Sequence, residues 1–375
     1  MDSFFVVTAP GLEEFTAQEL RSLEIEPVLE PGGMLFKGDL SALYRANLQL
    51  RSASRVLARL GNFFFATTFP ELQKRASRLP WERFLTPGQP VSLRVTCRGS
   101  KLYHSEAVAR TVAKAISERM GQASPLHKPD EESDDPPQLV IVRLVDDKCT
   151  VSVDSSGVLL HKRGYRQAVA KAPLRETLAA GILLASGWDR IAPLLDPFCG
   201  SGTIPIEAAR MALGIPPGCK RRFAFMGWPG YDEQLWNTLN PSEPKAAGEL
   251  PPILGSDRDA GAIKMAHENA ERAGVVEFIE FKCQAVSAIS PPALPRLEPG
   301  WVVTNPPYGV RASEGRDLRN LYAQFGHVLH EKCPRWNVMV MCSDPALLGQ
   351  MQVKLDTSLG LVNGGIHVRV GRGIV

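Results

Sequence analysis

Apolar residues in the N-terminal region follow two different spacings. A short apolar strand begins at Phe4, and a helical pattern of apolar residues runs from Leu12 to Leu23. A Pro-Gly-Gly turn, another strand and a second helix near 40–50 come next. This order predicts a small α+β unit over residues 1–60.

A second mixture of strand and helix patterns occupies residues 61–157. Residues 91–96 alternate as a strand does, and residues 105–120 place apolar side chains on one helical face. Two apolar runs flank the turn at Asp146–Asp147 and predict a β-hairpin. Residues 124–138 are acidic and rich in proline, so we expect a mobile loop within this second α/β unit.

Strands and helices alternate regularly over residues 158–375. Two of the predicted strands end at Asp196 and Asp257, and each is followed by a helical pattern. Such alternation predicts an α/β fold with a doubly wound sheet. Residues 214–252 interrupt the alternation, and we interpret them as an insertion near the functional site with a short helix at 232–239.

Composition narrows the classes of function. The chain has 375 residues and a net charge of +3, from 43 basic and 40 acidic residues, so nucleic-acid contact requires a local basic patch. The seven cysteines include no C-x-x-C pair, which argues against a metal site or a disulfide framework. The longest apolar run is too short to cross a bilayer. We therefore expect a cytoplasmic monomer without bound metal.

The segment LLDPFCGSGTIPIEAA resembles the first strand-to-helix turn of a nucleotide-binding fold. Its strand ends at Asp196, and the chain passes through Gly200 and Gly202 into a helix. Glycines at such a turn allow a ligand to lie against the main chain at the carboxyl edge of the sheet. This turn by itself is a weak signal, because many proteins have an ordinary strand-to-helix turn with two glycines.

A second strand ends at Asp257 and gives that turn a functional context. A carboxylate at this strand end can accept hydrogen bonds from both hydroxyls of a ribose, which predicts a nucleoside-containing ligand. Asp259 stands where a helix N-cap belongs, so we predict that it accepts a backbone N–H instead of contacting the ligand.

The third element is the segment WVVTNPPYGVR. Each residue before a proline favours extended backbone, so Asn305 and Pro306 are held in a stiff strand end. An aromatic amine is a poor nucleophile because its lone pair is delocalised into the ring. The Asn305 side-chain oxygen and the Pro306 carbonyl, aimed at the amine hydrogens, would localise that pair for attack on a methyl sulfonium. Tyr308 offers a face on which an unstacked base can lie.

The segments DPFCGSGT, GSDRD, TNPPYG, HKRGYR and APLRETLAAGIL resemble the THUMP-domain guanine-N2 RNA methyltransferases, and the likeness spans nearly the whole chain. The resemblance implies a ferredoxin-like unit at 1–60, a THUMP domain at 61–157 that binds RNA, and a Rossmann-like class I methyltransferase domain at 158–375. The implied substrate is a guanosine in transfer RNA, slightly favoured, or in 23S ribosomal RNA.

The resemblance also assigns roles to particular residues. It gives the amine-binding roles to Asn305, Pro306 and Tyr308. The residues that would hold S-adenosylmethionine are Asp196, Phe198, Gly200, Gly202, Thr203, Asp257, Gln284 and Asn305. This sequence departs from the family at Gln284, where an aspartate usually bonds the adenine amino group. A glutamine oxygen can accept the same hydrogen bond without charge, so cofactor affinity is the property in doubt.

Basic residues in two regions are candidates for phosphate contacts. We predict RNA-binding roles for two groups of side chains, one around the second α/β unit and one leading into the third: Arg98, Lys101, Arg110 and Lys114, then Arg163 and Arg166.

Other classes of protein share parts of this pattern. A DNA adenine or cytosine methyltransferase could use the same Asn-Pro-Pro-Tyr segment, and so could an enzyme that modifies a protein glutamine amide. The two N-terminal units favour RNA. An RNA-binding protein with an inactive methyltransferase domain is a further alternative, against which the intact Asp257, Asn305 and Tyr308 argue.

Overall fold

The chain alternates between strands and helices along most of its length. The computed structural model describes residues 1–130, 136–167, 174–240, 250–291, 299–308 and 317–375. Within these ranges the strands are β1 Asp2–Thr8, β2 Val28–Glu30, β3 Gly33–Gly38, β4 Ala53–Arg59, β5 Phe64–Phe65, β6 Val91–Arg98, β7 Leu126–His127, β8 Gln138–Val145, β9 Lys148–Asp154, β10 Leu194–Asp196, β11 Ile253–Asp257, β12 Glu280–Cys283, β13 Trp301–Thr304, β14 Asn337–Cys342, β15 Leu355–Asn363 and β16 Ile366–Ile374. The helices in the same ranges are α1 Glu13–Ser22, α2 Leu40–Gln49, α3 Phe69–Ala76, α4 Ser105–Met120, α5 Glu176–Ser186, α6 Thr203–Ala212, α7 Glu233–Leu239, α8 Ala260–Ala273, α9 Arg319–Lys332 and α10 Pro345–Gln350.

These elements form two units, each made of separate stretches of chain. Unit 1 comprises Met1–Thr8, Leu20–Leu160 and Arg221–Pro241, and unit 2 comprises Ala9–Glu19, His161–Lys220 and Ser242–Val375. Helix α1 therefore begins in unit 2 and ends in unit 1.

The short helix predicted within the 214–252 insertion is α7, and it belongs to unit 1. Its Trp236 is buried edge-on against Tyr44 and packs on Phe225. The described part of the insertion around α7 therefore helps to form the core of unit 1.

Unit 1 is built on one mixed sheet. In the described part of the chain its nine strands follow the order β2-β3-β1-β4-β9-β8-β6-β7, with β5 paired to β9. The predicted hairpin is β8–β9, whose turn residues Asp146 and Asp147 have φ values of 50° and 63°. Of the loop predicted at 124–138, residues 131–135 lie outside the described residues, and Leu126–His127 forms the short strand β7.

Unit 2 contains the doubly wound sheet that the alternation predicts. Among the residues that the structure describes, seven strands follow the order β12-β11-β10-β13-β14-β16-β15. The first five strands in this order are parallel, and β16 runs antiparallel between β14 and β15. The carboxyl ends of β10, β11 and β13 therefore meet at one edge of the sheet.

Both faces of this sheet are buried by apolar side chains. Consecutive strand residues point to opposite faces, so Leu194 belongs to one core cluster and Leu195 to the other. Helices α5, α6 and α8 cover the first face, and α9 and α10 cover the second. Because both faces are covered, the central strands β10, β13 and β14 are apolar except at their ends, where Asp196, Thr304 and Asn337 stand.

Leu12 packs in the first of these clusters although it comes from the N-terminal segment. Its side chain is fully buried, and Gly181 of α5 leaves room for it: a Cβ at Gly181 would lie 2.5 Å from Leu12 Cδ1. Gly11, with φ 90°, approaches the backbone of Gly360 so closely that a Cβ there would lie 2.1 Å from the Gly360 carbonyl oxygen. The segment that leads into α1 is thus an integral part of unit 2.

We expect Leu12→Ala to lower the free energy of unfolding of unit 2 by about 2–5 kcal/mol, because it leaves a cavity in a closed core. Hydrogen exchange at the amides of α5 and β10 measures this, since those amides exchange through opening of unit 2. Leu29→Ala, at a side chain that is 58% exposed, is the matched control and should change little. Equal protection in the Leu12→Ala protein would contradict the burial of Leu12 in this core.

Candidate active site

The glycine turn after β10 is built so that its backbone faces open space. Gly200 and Gly202 have φ values of 50° and 83°, a region that other residues rarely adopt. A Cβ at Gly202 would lie 3.0 Å from Ala266 Cβ, so this position is closed to larger residues. A Cβ at Gly200 would meet no atom within 4 Å, which leaves room for a ligand against the main chain.

Asp257 stands beside this turn and is held by two backbone donors. Its Oδ2 accepts the Gly200 N–H at 3.0 Å, and its Oδ1 accepts the Asp259 N–H at 3.0 Å. A carboxylate has about four acceptor positions. The two bonds therefore fix the orientation of Asp257 and still leave acceptor capacity for ribose hydroxyls.

The predicted capping role of Asp259 is confirmed. Its Oδ1 accepts the N–H groups of Gly261 at 2.8 Å and Ala262 at 3.4 Å, at the start of α8. Two neighbouring carboxylates thus have different tasks, because Asp259 stabilises a helix end and Asp257 faces the glycine turn.

Asp196 is buried at the end of β10, next to the glycine turn. Its Oδ1 accepts the Thr304 hydroxyl at 2.6 Å and the Phe198 N–H at 3.2 Å. Burial, with a smaller contribution from nearby Asp257, raises the pKa of Asp196 to about 7, although the two hydrogen bonds from Thr304 and Phe198 act to lower it. Thr304 ties β13 to β10 here, a role that its sequence context did not indicate.

Two amide side chains at this sheet edge carry buried polar atoms that lack a partner within the described residues. Neither Asn305 Oδ1 nor Gln284 Nε2 has a hydrogen bond to any part of the chain that the structure describes. The backbone of Gln284 is fixed, because its N–H donates to the Asp257 carbonyl at 2.9 Å. Buried polar atoms are normally paired, and leaving one unpaired is costly. These two atoms therefore fit a polar ligand that completes their bonding.

Tyr308 lies between the two core clusters and packs against both. Its hydroxyl oxygen accepts the Asn363 side-chain N–H at 3.0 Å. Burial raises the pKa of Tyr308, so its hydroxyl keeps its proton at neutral pH. The Tyr322 hydroxyl donates to the Pro307 carbonyl at 3.3 Å and so holds the preceding backbone.

The structure thus gathers most of the predicted site at one sheet edge. The residues that it places at or beside the ends of β10, β11, β12 and β13 are Asp196, Phe198, Gly200, Gly202, Thr203, Asp257, Gln284, Asn305, Pro306 and Tyr308. Thr304, Tyr322 and Asn363 join them, although no motif indicated these three residues.

The predicted RNA-binding residues differ in their exposure. Arg98, Lys101, Arg110 and Lys114 have exposed side chains on β6, on the loop after it and on α4, so phosphate contact by them stays a prediction.

The prediction for Arg163 is wrong. Its side chain is fully buried in unit 2 and forms an ion pair with Glu207 of α6, to which the Tyr165 hydroxyl also donates. The Arg166 guanidinium is also engaged, with Glu176 at 3.0 Å and with the Leu174 carbonyl. Arg163 therefore cannot contact a phosphate. Most of the hydrogen-bonding capacity of Arg166 is used by Glu176 of α5 and by the Leu174 carbonyl just before it.

Comparison with known proteins gives three matches along the chain. Residues 163–369 match the RMKL-like methyltransferase domain, residues 3–57 the RlmL ferredoxin-like domain and residues 66–154 the THUMP domain. The first match covers more than half of the chain. This chain belongs to the RMKL-like methyltransferase family. The predicted family and fold class are therefore confirmed.

Individual relatives are similar to this chain along nearly its whole length. Ribosomal RNA large subunit methyltransferase K/L from Psychromonas ingrahamii is 37% identical over 98% of this chain, which spans only 49% of that relative's length. A putative RNA methyltransferase from Synechocystis sp. is 34% identical over 97% of this chain and 94% of its own length. A crystal structure of a putative methyltransferase complexed with SAH has a TM-score of 0.86 and 29% identity, covering 99% of this chain and 97% of its own.

Members of this family depend on S-adenosylmethionine, and the site described above fits that cofactor. The carboxylate of Asp257 suits the ribose, the open backbone at Gly200 suits close approach, and the unpaired Nε2 of Gln284 suits a hydrogen-bond acceptor on the ligand. Asp196 offers a carboxyl group to a positively charged ligand. No helix in the described ranges is long and apolar enough to cross a membrane.

We expect affinity for S-adenosylmethionine to rise between about pH 6 and pH 8, because Asp196 ionises near pH 7 and its carboxylate then attracts the cationic ligand. Titration calorimetry across this range measures the change, and Asp196→Asn should abolish it. In the absence of ligand, the same raised pKa changes the folding stability, and this effect has the opposite dependence on pH. The folded chain holds a proton that the unfolded chain has lost, so its stability falls as pH rises from about 4 to about 7. A flat affinity profile in the unmodified protein would contradict this assignment.

We expect Gln284→Ala to weaken binding of S-adenosylhomocysteine by about threefold to tenfold, the value of one neutral hydrogen bond. Calorimetry measures the dissociation constant. Lys282→Ala serves as the control and should leave affinity unchanged, because Lys282 lies on β12, just before Gln284, and forms an exposed ion pair with Glu280. If both variants bind as tightly as the unmodified protein, Gln284 does not face the adenine.

Proposed function

We propose that this chain transfers a methyl group from S-adenosylmethionine to the exocyclic N2 amino group of a guanosine in RNA. The observation that carries this proposal is the buried Asn305 Oδ1, which has no partner within the described residues. Asn305 directly follows Thr304, the last residue of β13, and the Thr304 hydroxyl donates to Asp196 at the end of β10 at 2.6 Å. An acceptor that the protein leaves unpaired suits a donor on the substrate, and an exocyclic amine supplies one.

The residues around Asn305 account for orientation of the amine. Asn305 Oδ1 and the Pro306 carbonyl each accept one amine hydrogen, which returns the lone pair from the aromatic ring to the nitrogen. The Tyr308 ring supports the face of the base, and the Tyr322 hydroxyl holds the backbone between them through the Pro307 carbonyl. Preorganised acceptors of this kind need no rearrangement as the reaction proceeds.

The other strand ends hold the methyl donor. S-adenosylmethionine, when bound, supplies a methyl group that is activated by its positively charged sulfur. Asp257 orients the ribose through fixed oxygens, and the turn at Gly200 and Gly202 lies against the ligand. Asp196 and Gln284 complete the binding set on either side of Asp257.

The substrate proposal rests on the N-terminal half of the chain. A pocket for one base cannot choose among the many guanines of a cell, so selection requires shape and phosphate contacts elsewhere. The THUMP match and the exposed cations on β6, on the loop after it and on α4 support RNA as the partner of unit 1. The name of the Psychromonas relative favours large-subunit ribosomal RNA, whereas the sequence alone slightly favoured transfer RNA. We keep 1–60, 61–157 and 158–375 as the proposed domains. Two segments depart from these bounds, because Ala9–Glu19 belong to unit 2 and Arg221–Pro241 belong to unit 1.

The proposed activity is tested with the full chain, tritiated S-adenosylmethionine and four unmodified substrates: 23S ribosomal RNA, 16S ribosomal RNA, transfer RNA and duplex DNA. We expect label in 23S RNA, recovered as N2-methylguanosine after digestion to nucleosides. Label in transfer RNA guanosine would correct the choice of RNA. Label in adenine or cytosine of DNA, or in no nucleic acid, would overturn the proposal.

We expect Asn305→Ala to lower kcat by about 100-fold, the usual effect of removing one preorganised polar contact to a transition state. Affinity for S-adenosylhomocysteine, measured by calorimetry, should change much less. Asn305→Asp keeps acceptor oxygens at this position and should retain more activity than Asn305→Ala. Near-normal turnover in the alanine variant would remove Asn305 from the mechanism.

A further inference from the structure

The C-terminal hairpin of unit 2 ends beside the Asn305–Tyr308 segment. Strands β15 and β16 pair up to Asn363 and Ile366, and only Gly364 and Gly365 lie between them. Both glycines have positive φ, 57° and 84°, as a tight two-residue hairpin turn requires. Asn363 is thus the last paired residue of a short, well-defined hairpin.

Asn363 reaches Tyr308 across 55 positions of sequence. Its Nδ2 donates to the Tyr308 hydroxyl oxygen at 3.0 Å. Tyr308 is the residue whose ring is to support the substrate base. The body of the ring is fixed by packing against both core clusters, and this hydrogen bond fixes its tip.

Stacking alone does not decide where the edge of a base lies. Contact between a base and an aromatic face is tolerant of rotation and sliding within the plane. The amine must nevertheless meet two acceptors, at Asn305 and Pro306, and misplacement of a reacting group by about 1 Å can cost about 100-fold in rate. The tilt of the Tyr308 ring therefore affects whether a stacked base presents its amine to those acceptors.

We infer that Asn363 is a positioning residue, which sets the orientation of Tyr308 so that a stacked guanine presents its amino group to Asn305. This inference rests on the proposed function, because it assumes that a base lies on Tyr308. It places the tip of the β15–β16 hairpin in the substrate site. Asn363 itself is half-buried at the surface, so its role in stability is small compared with that of a core residue.

The test is a double-mutant cycle on methyl transfer to 23S ribosomal RNA. Asn363→Ala removes the donor, and Tyr308→Phe removes the hydroxyl while keeping the ring. Each should lower kcat/KM by about threefold to tenfold, in line with the loss of one neutral hydrogen bond. The double variant should be no worse than the more severe single variant, because both changes break the same bond. Additive effects would overturn the inference.

Three further measurements separate positioning from general damage. Asn363→Asp offers a carboxylate that can accept the Tyr308 O–H, so it should restore most of the activity lost in Asn363→Ala. Affinity for S-adenosylhomocysteine should stay within about twofold in every Asn363 variant. Ser358→Ala, which breaks an exposed contact to Asp356 on the same strand, should behave as the unmodified protein. Failure of the aspartate variant to recover activity would contradict the role of the hydrogen bond.

The outcomes distinguish the two proposals. If the unmodified chain labels no RNA, the proposed function fails, and this inference fails with it. If the unmodified chain methylates guanosine in RNA but the cycle is additive, only the role of Asn363 is overturned.

Discussion

Parallel pairing of β10 with β11 and β13 is the constraint on which the site depends. Because these three strands run in the same direction side by side, their carboxyl ends share one edge, and the residues after them are neighbours. Asp196, Asp257 and Asn305 are separated widely in sequence yet meet there. The hydrogen bond from Thr304 to Asp196 then links β13, which leads to Asn305, with β10, which leads to the glycine turn.

Burial changes the protonation and the hydrogen bonding of the polar groups at this edge. The apolar layers on both faces of the sheet exclude water from the strand ends, which raises the pKa of Asp196 and leaves Asn305 Oδ1 and Gln284 Nε2 without partners in the described chain. Such atoms suit ligands that supply the missing hydrogen-bond partners.

Local features of the site could be predicted from the sequence, and contacts between distant elements could not. The cap at Asp259 and the left-handed glycines follow from their immediate neighbours. Asn363 and Tyr322 are separated in sequence from the Asn-Pro-Pro-Tyr segment that they contact. Nothing in the sequence around either residue indicates this contact. Arg163 was misassigned for the same reason, because its burial depends on Glu207, which is 44 positions later.

The packing of Ala9–Glu19 in unit 2 has a consequence for the synthesis of the protein. Leu12 and Phe15 are synthesised well before the rest of their cluster in unit 2, whose other buried members run from Tyr165 to Val370. At about 5–20 residues per second, these side chains stay without their core for roughly tens of seconds. The nascent chain therefore carries an exposed apolar segment around Leu12 until α5 and the later strands of unit 2 have emerged, which makes this segment a target for chaperones during synthesis.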